Sequence, residues 1–150
     1  VDVSHRVFNL PMPPAHLESE YAVSLADGPD ALNELRALIE WERLPANFVN
    51  EVRFVAADDI WLSPAFERDS CHIGAYIGQV PGWREYFEGF AELAERRGGR
   101  PHWGKTFFSE HEELCRVYPR LDDFAKIRRR LDPDHVFVND FVARVFGLDA

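Results

Sequence analysis

Glu51 and Arg53 stand two apart in the run NFVNEVRFVA, and His102, Trp103 and Lys105 fall within four residues of each other in GGRPHWGKTF. On a strand, residues i and i+2 project from the same face, so a carboxylate and a guanidinium would be presented together. Charge that leaves water on a strand face requires a partner or a ligand. The plainer reading is a surface ion pair between the two, which contributes little. The second cluster has the same ambiguity. An imidazole and an ammonium can move a proton or stabilise negative charge that develops during a reaction. A lysine next to a tryptophan can equally be a cation–π contact or a snorkelling surface residue. Gly98, Gly99 and Pro101 shape the backbone ahead of His102.

Other chemistries find little support. His111 and Cys115 could share a helix face, but two ligands do not make a zinc site, and HExxH and Cys/His clusters are absent, so no metal is expected. Ser63 and Ser70 lack a Gly-x-Ser-x-Gly elbow. GxGxxG and GxxxxGK[ST] are both missing, so no Rossmann or P-loop nucleotide site is encoded.

Composition narrows the partners. Seventeen Lys and Arg against 26 Asp and Glu give a net charge of −9, which opposes a phosphate backbone and argues against nucleic acid. The basic run Lys126, Arg128, Arg129, Arg130 reads as the solvated face of a helix. No stretch approaches the ~20 apolar residues of a membrane span. Cys71 and Cys115 form neither a CxxC nor a zinc pattern, which points to a reduced, cytoplasmic setting. The chain opens at Val1 and its only methionine is Met12, so a segment of a longer protein is expected.

These residues must be positioned by short elements. Residues 1–16 are proline-rich and irregular. SEYAVSLA, 19–26, alternates as a strand with Tyr21, Val23 and Leu25 on one face. A helix follows over DGPDALNELRALIEWER, with Leu32, Leu35, Leu38 and Ile39 as its apolar stripe. NFVNEVRFVA, 47–56, is a second strand and SCHIGAYIG, 70–78, a third, separated by a loop broken at Ser63-Pro64. WREYFEGFAELAERR is a second amphipathic helix, stopped at Gly98-Gly99. HWGKTFF should be short and extended. A helical turn at 109–118, a helix over 121–131 ending at Asp132-Pro133, and an apolar tail complete the chain. Short strands without glycine-rich strand-to-helix turns predict an α+β fold, an antiparallel sheet covered by helices, in one domain over 1–150.

Three segments in order, EVRFVAADDIWLSPAFERDSCHIG, GGRPHWGK and YPRLDDFAKIRRRLDPDHVFVNDFVARVFG, resemble the C-terminal part of the aldonolactone oxidases. These include the L-gulono-1,4-lactone and D-arabinono-1,4-lactone oxidases, with the alditol (xylitol) oxidases as close relatives, all flavoenzymes of the vanillyl-alcohol oxidase superfamily. The resemblance runs from about Glu20 to Leu148. It implies a single C-terminal substrate (cap) domain of an FAD-dependent oxidoreductase acting on CH–OH groups of a sugar lactone or polyol, with the N-terminal FAD-binding domain absent from this chain. This chain alone would then be inactive and carry no FAD.

The resemblance also assigns residues. Glu51, Arg53 and Lys105, with His102 beside them, would surround substrate and flavin ring. Arg53 and Lys105 would orient the hydroxyl and stabilise charge, while Glu51 would bind a neighbouring hydroxyl and orient Arg53. His102 and Lys105 would also lie against the cofactor. Asn139 matches the asparagine after the LDP segment, where the role is structural or cofactor-proximal. The alditol oxidases carry His-x-Thr where this chain reads Gly74-Ala75-Tyr76, which favours a lactone over a polyol. A second reading is a non-catalytic module that holds a carbohydrate or pairs with a separate flavoprotein.

Overall fold

Strict alternation in HLESEYAVS sets up the sheet. In the computed structural model, which describes Asp2, Val3, Arg6 and residues 15–148, this run forms β1, His16–Ser24. The strand begins three residues before the expected start and ends two before the expected end. The proline-rich opening lies largely outside the described residues. Helix α1, Gly28–Glu42, follows, with proline in its first turn and a left-handed cap at Arg43. Strands β2, Asn50–Val55, and β3, Ser70–Gly78, fall where their patterns place them. Helix α2, Trp83–Arg96, packs the stripe Phe87, Phe90, Ala91, Ala94 onto the sheet, as the helical period requires. The short β4, Arg100–Pro101, completes a four-stranded antiparallel sheet in the order β2-β3-β1-β4. Three helices close the chain: α3, His111–Val117; α4, Leu121–Leu131; and α5, Asp140–Phe146. The architecture is α+β, as the alternation of short elements predicts.

Register divides the sheet into two chemically opposite faces. Tyr21 pairs with Ile73 and Val23 with Cys71, and these side chains meet α1 and α2 in the core with Leu35, Phe87, Phe90 and Leu93. On the other face Glu18 pairs with Tyr76, Glu20 with Gly74, Glu51 with the same Gly74, and Arg53 with His72. One face is therefore apolar and covered, and the other is lined with ionisable groups. β2 is an edge strand, exposed along most of its length.

HWGK does not extend as HWGKTFF predicts. Gly98, at φ 60, ends α2, and after the two residues of β4 the chain turns, the Lys105 amide donating to the His102 carbonyl at 3.1 Å. Hydrogen bonds to backbone carbonyls fix this turn to the body. The Arg100 guanidinium donates to the carbonyls of Val117 and Phe66, each at 2.7 Å, and the Trp103 indole to that of Leu62 at 2.7 Å. Trp103 also packs against Tyr118, with ring centroids 4.7 Å apart. Arg100 and Trp103 are thus structural, and they leave Lys105 directed at the polar sheet face.

The basic run on α4 follows its solvated reading with one exception. Lys126, Arg129 and Arg130 are exposed, whereas Arg128 folds inward beside Asp132 and over the Phe146 ring. Among the described residues no helix is long and apolar enough to cross a membrane.

Candidate active site

The polar face is organised around Glu20, whose side chain is only 1% exposed. Its carboxylate accepts from Lys105 Nζ at 2.9 Å, from His72 Nδ1 at 3.0 Å, and from the Arg53 guanidinium. Lys105 Nζ also donates to the Tyr76 hydroxyl at 2.9 Å and pairs with Glu18 Oε2 at 2.9 Å. An ammonium has three hydrogens, so these acceptors use them all. Tyr76 in turn donates to Glu51 Oε2 at 2.7 Å. His16 Nε2 lies 2.8 Å from Glu18 Oε1. Glu51, Tyr76, Lys105, Glu20 and Arg53 thus form one connected network across three strands and the turn.

Glu51 and Arg53 therefore share a face but do not pair with each other. Each is held by a different partner: Arg53 is oriented by Glu20, not by Glu51. Lys105 makes its cation–π contact with Tyr76, at 4.6 Å, rather than with Trp103. His102 sits beside the network. Its backbone amide donates to the Glu20 carbonyl, and its Nδ1 accepts from the Gly104 amide at 3.1 Å, which places the proton of the neutral ring on Nε2. A shallow cleft of about 400 Å³ runs along His16, Glu18, His102, Gly104, Lys105 and Thr106. Asn139 lies elsewhere, as the N-cap of α5, its side chain accepting from the Val142 amide at 2.9 Å. Its position is that of a helix cap.

Electrostatics separate permanent charges from movable ones. Burial raises the Glu20 carboxyl, but hydrogen bonds from His72 and Lys105 and the nearby charges of Lys105 and Arg53 outweigh it and hold the group far below the usual carboxylate range. Burial lowers Lys105, yet its bonds to Tyr76, Glu18 and Glu20 carry it well above an ordinary lysine. Burial together with the Glu51 contact pushes the Tyr76 phenol up against the opposing pull of Lys105. Near neutrality Glu20 is an anion, Lys105 a cation and Tyr76 a neutral donor. None of the three is poised to act as a base, which requires a group titrating near the working pH. Because ionised Glu20 only accepts, His72 Nδ1 carries a proton, and its buried Nε2 has no partner among the described residues.

These shifts predict a stability profile. The folded pKa of Glu20 is depressed, so its contribution is fully present above the ordinary glutamate value of 4.5 and is lost as pH falls through the folded value. The folded pKa of Lys105 is raised, so its contribution is fully present below 10.5 and is lost as pH rises beyond it. Urea midpoints measured against pH should be flat between roughly 5 and 10 and fall on both sides. In Glu20→Gln the acid limb should be visibly shallower. An unchanged acid limb would remove Glu20 from this role.

Sequence reasoning missed Glu20, Glu18, His72 and Tyr76. A signal was present: His16, Glu18 and Glu20 recur every second residue opposite the apolar face of one strand. Placing the start of β1 at Ser19 hid it.

An antiparallel α+β domain with an ionisable network on its open sheet face is the class that fold and site define. The chain matches the family described as D-arabinono-1,4-lactone oxidase over residues 1–145, and it belongs to that family. It is 39% identical to an L-gulono-1,4-lactone dehydrogenase of Mycobacterium tuberculosis over 146 residues, covering 97% of this chain and 34% of the relative. It is 32% identical to an L-gulonolactone oxidase of Mus musculus over 151 residues, again 97% of this chain and 34% of the relative. An alditol oxidase of a Streptomyces species is 33% identical over 129 residues, 85% of this chain and 31% of that protein. The chain spans about a third of the length of these curated relatives.

Proposed function

We propose that this chain is the substrate (cap) domain of an FAD-dependent oxidoreductase that oxidises a CH–OH group of a sugar lactone. The observation that supports this most is the network itself. A buried Glu20–Lys105–Tyr76 hub presents exposed Glu51 and Arg53 on one open sheet face, in a chain whose relatives are named as lactone and alditol oxidoreductases. FAD would accept the hydride. The donor set suits the ring end of a flavin, because Arg53 offers an exposed cation, while the nucleotide end would be held by the part of the relatives that lies outside this chain.

Within that reading the residues divide the work differently from the family-based assignment. Arg53, with its side chain 45% exposed, would meet the substrate oxygen and stabilise negative charge developing there. Glu51 would accept from a sugar hydroxyl in exchange for Tyr76. Lys105 has no free donor, so it would set the orientation of Glu20 and Tyr76 and bind substrate only by releasing one of its three acceptors. His102 would donate from Nε2 toward the cleft and brace the turn. Asn139 would act as a helix cap. Tyr76 stands where the alditol oxidases carry a threonine, so that polyol-binding hydroxyl is not matched, which favours a lactone.

The test is a chimera in which this chain replaces the matching third of the mycobacterial relative. It should bind FAD, and L-gulono-1,4-lactone or D-arabinono-1,4-lactone should bleach the flavin under anaerobic conditions. The isolated chain should be colourless. A folded, FAD-loaded chimera that no lactone reduces would defeat the enzymatic reading and favour the non-catalytic carbohydrate-binding module, which equilibrium binding of the same lactones to the isolated chain would then detect.

A further inference from the structure

A second group of side chains meets where α3 and α4 converge, sharing no residue with the Glu20 network. His111 and Cys115 are one turn apart on α3 and therefore share a face. Asp122 stands in the first turn of α4. One ligand atom of each lies within 4.8 Å of the other two. The sequence alone offers the first two ligands; the turn between the helices supplies the third.

Two features go beyond proximity. Cys115 Sγ is 3.5 Å from His111 Nε2. For a tetrahedral zinc ion with Zn–S of about 2.3 Å and Zn–N of about 2.0 Å, the S···N edge is about 3.5 Å, so the pair matches in length. Sγ also lies 3.8 Å from Nδ1, beside the ring, so binding requires the thiol to swing toward the Nε2 edge. The other ring nitrogen, His111 Nδ1, is 3.0 Å from the Val145 carbonyl. A carbonyl only accepts, so Nδ1 carries the proton and the ring's lone pair is on Nε2. A backbone carbonyl on the far nitrogen is how ligating histidines are commonly held in place. The ring is also confined sterically. Gly147, at φ 59, caps α5 so closely that a Cβ there would stand 2.8 Å from His111 Cδ2.

We propose that His111, Cys115 and Asp122 form a binding site for one divalent transition-metal ion, zinc foremost, with water as the fourth ligand. An imidazole, a thiolate and a carboxylate suit a borderline-soft ion and not magnesium or calcium, which take oxygen ligands. Binding displaces the Cys115 thiol proton, leaving a thiolate on the ion, so affinity rises with pH. The bound ion would clamp α3 to α4 and, through Val145, to α5.

Titration of the metal-free chain with Zn²⁺, in competition with a chromophoric chelator, tests the site. One ion per chain is expected, and Co²⁺ in its place should give a thiolate-to-cobalt charge-transfer band. Cys115→Ser should abolish that band and weaken Zn²⁺ binding by ~100-fold or more, the upper end of what loss of an outer-shell partner costs. Asp122→Asn, an exposed position that leaves packing intact, should weaken binding by at least ~10-fold. Glu112→Gln, a neighbouring carboxylate outside the ligand set, is the control, and it should bind as the parent does within a few-fold. Absence of saturable binding to the parent overturns the proposal. So does an Asp122→Asn variant, its fold verified by circular dichroism, that binds Zn²⁺ as tightly as the parent.

Discussion

Lys105→Met should lower the thermal midpoint of the isolated chain by roughly 6–12 °C. The substitution keeps the length and the apolar stem but removes an ammonium that holds two carboxylates and a phenol. Breaking a buried ion pair by removing one partner costs about 3–5 kcal/mol, because the other charge is left uncompensated. Glu20 retains Arg53 and His72, which puts the expected loss near 3 kcal/mol. At this chain length each kcal/mol corresponds to about 2–4 °C. Adding Glu20→Gln to Lys105→Met should recover part of the loss, since the stranded charge goes with it. Lys126→Met makes the comparison, as that side chain is 66% exposed and pairs with Asp123 on the surface, so a change within about 0.5 kcal/mol is expected. A Lys105→Met midpoint within about 2 °C of the parent would mean that the network does not hold this face together.

That lysine shows where sequence reading reached and where it stopped. The α+β class, the helices α1, α2 and α4, and the strands β2 and β3 were legible because their apolar residues recur with helical or strand period. Glu51, Arg53 and Lys105 were legible as residue types in the right spacing. Their partners were not, because pairing depends on register. Glu20 meets Lys105 across 85 residues and Arg53 across 33, and no local pattern encodes such a meeting. The expected Glu51–Arg53 pair followed from adjacency on one strand, whereas Glu51 meets Tyr76 on the neighbouring β3 and Arg53 reaches past it to Glu20 on β1. The same holds for the α3–α4 group. His111 and Cys115 share a helix face in any reading of the sequence, and Asp122 joins them only because the intervening turn brings α4 back onto α3. HWGK was expected to extend and instead turns, since Arg100 and Trp103 find carbonyl acceptors in the 61–66 loop and at Val117 that a straight segment could not reach.

Arg53→Met, in the chimera, should slow anaerobic flavin reduction by on the order of a hundredfold while leaving the fold nearly intact. Loss of one preorganised donor to developing charge typically costs 10²–10³ in rate, and Arg53 is the exposed cation of the network. Its stability cost should be smaller than that of Lys105→Met, because Glu20 keeps the fully engaged ammonium and His72 after Arg53 is gone. Stopped-flow reduction at increasing lactone concentration separates the limiting rate from the apparent Kd. A fall in the limiting rate with little change in Kd assigns Arg53 to the transition state; a rise in Kd alone assigns it to ground-state binding. Arg53→Lys should restore only part of the rate, since an ammonium on a different stem cannot bond Glu20 and a substrate oxygen from one rigid fork. The contrast with Lys105 is the decisive comparison. Lys105→Met is expected to lose stability first and rate as a consequence, and Arg53→Met to lose rate with stability preserved. If Arg53→Met reduces its flavin at the parent rate, the exposed end of the network is not where the substrate oxygen sits.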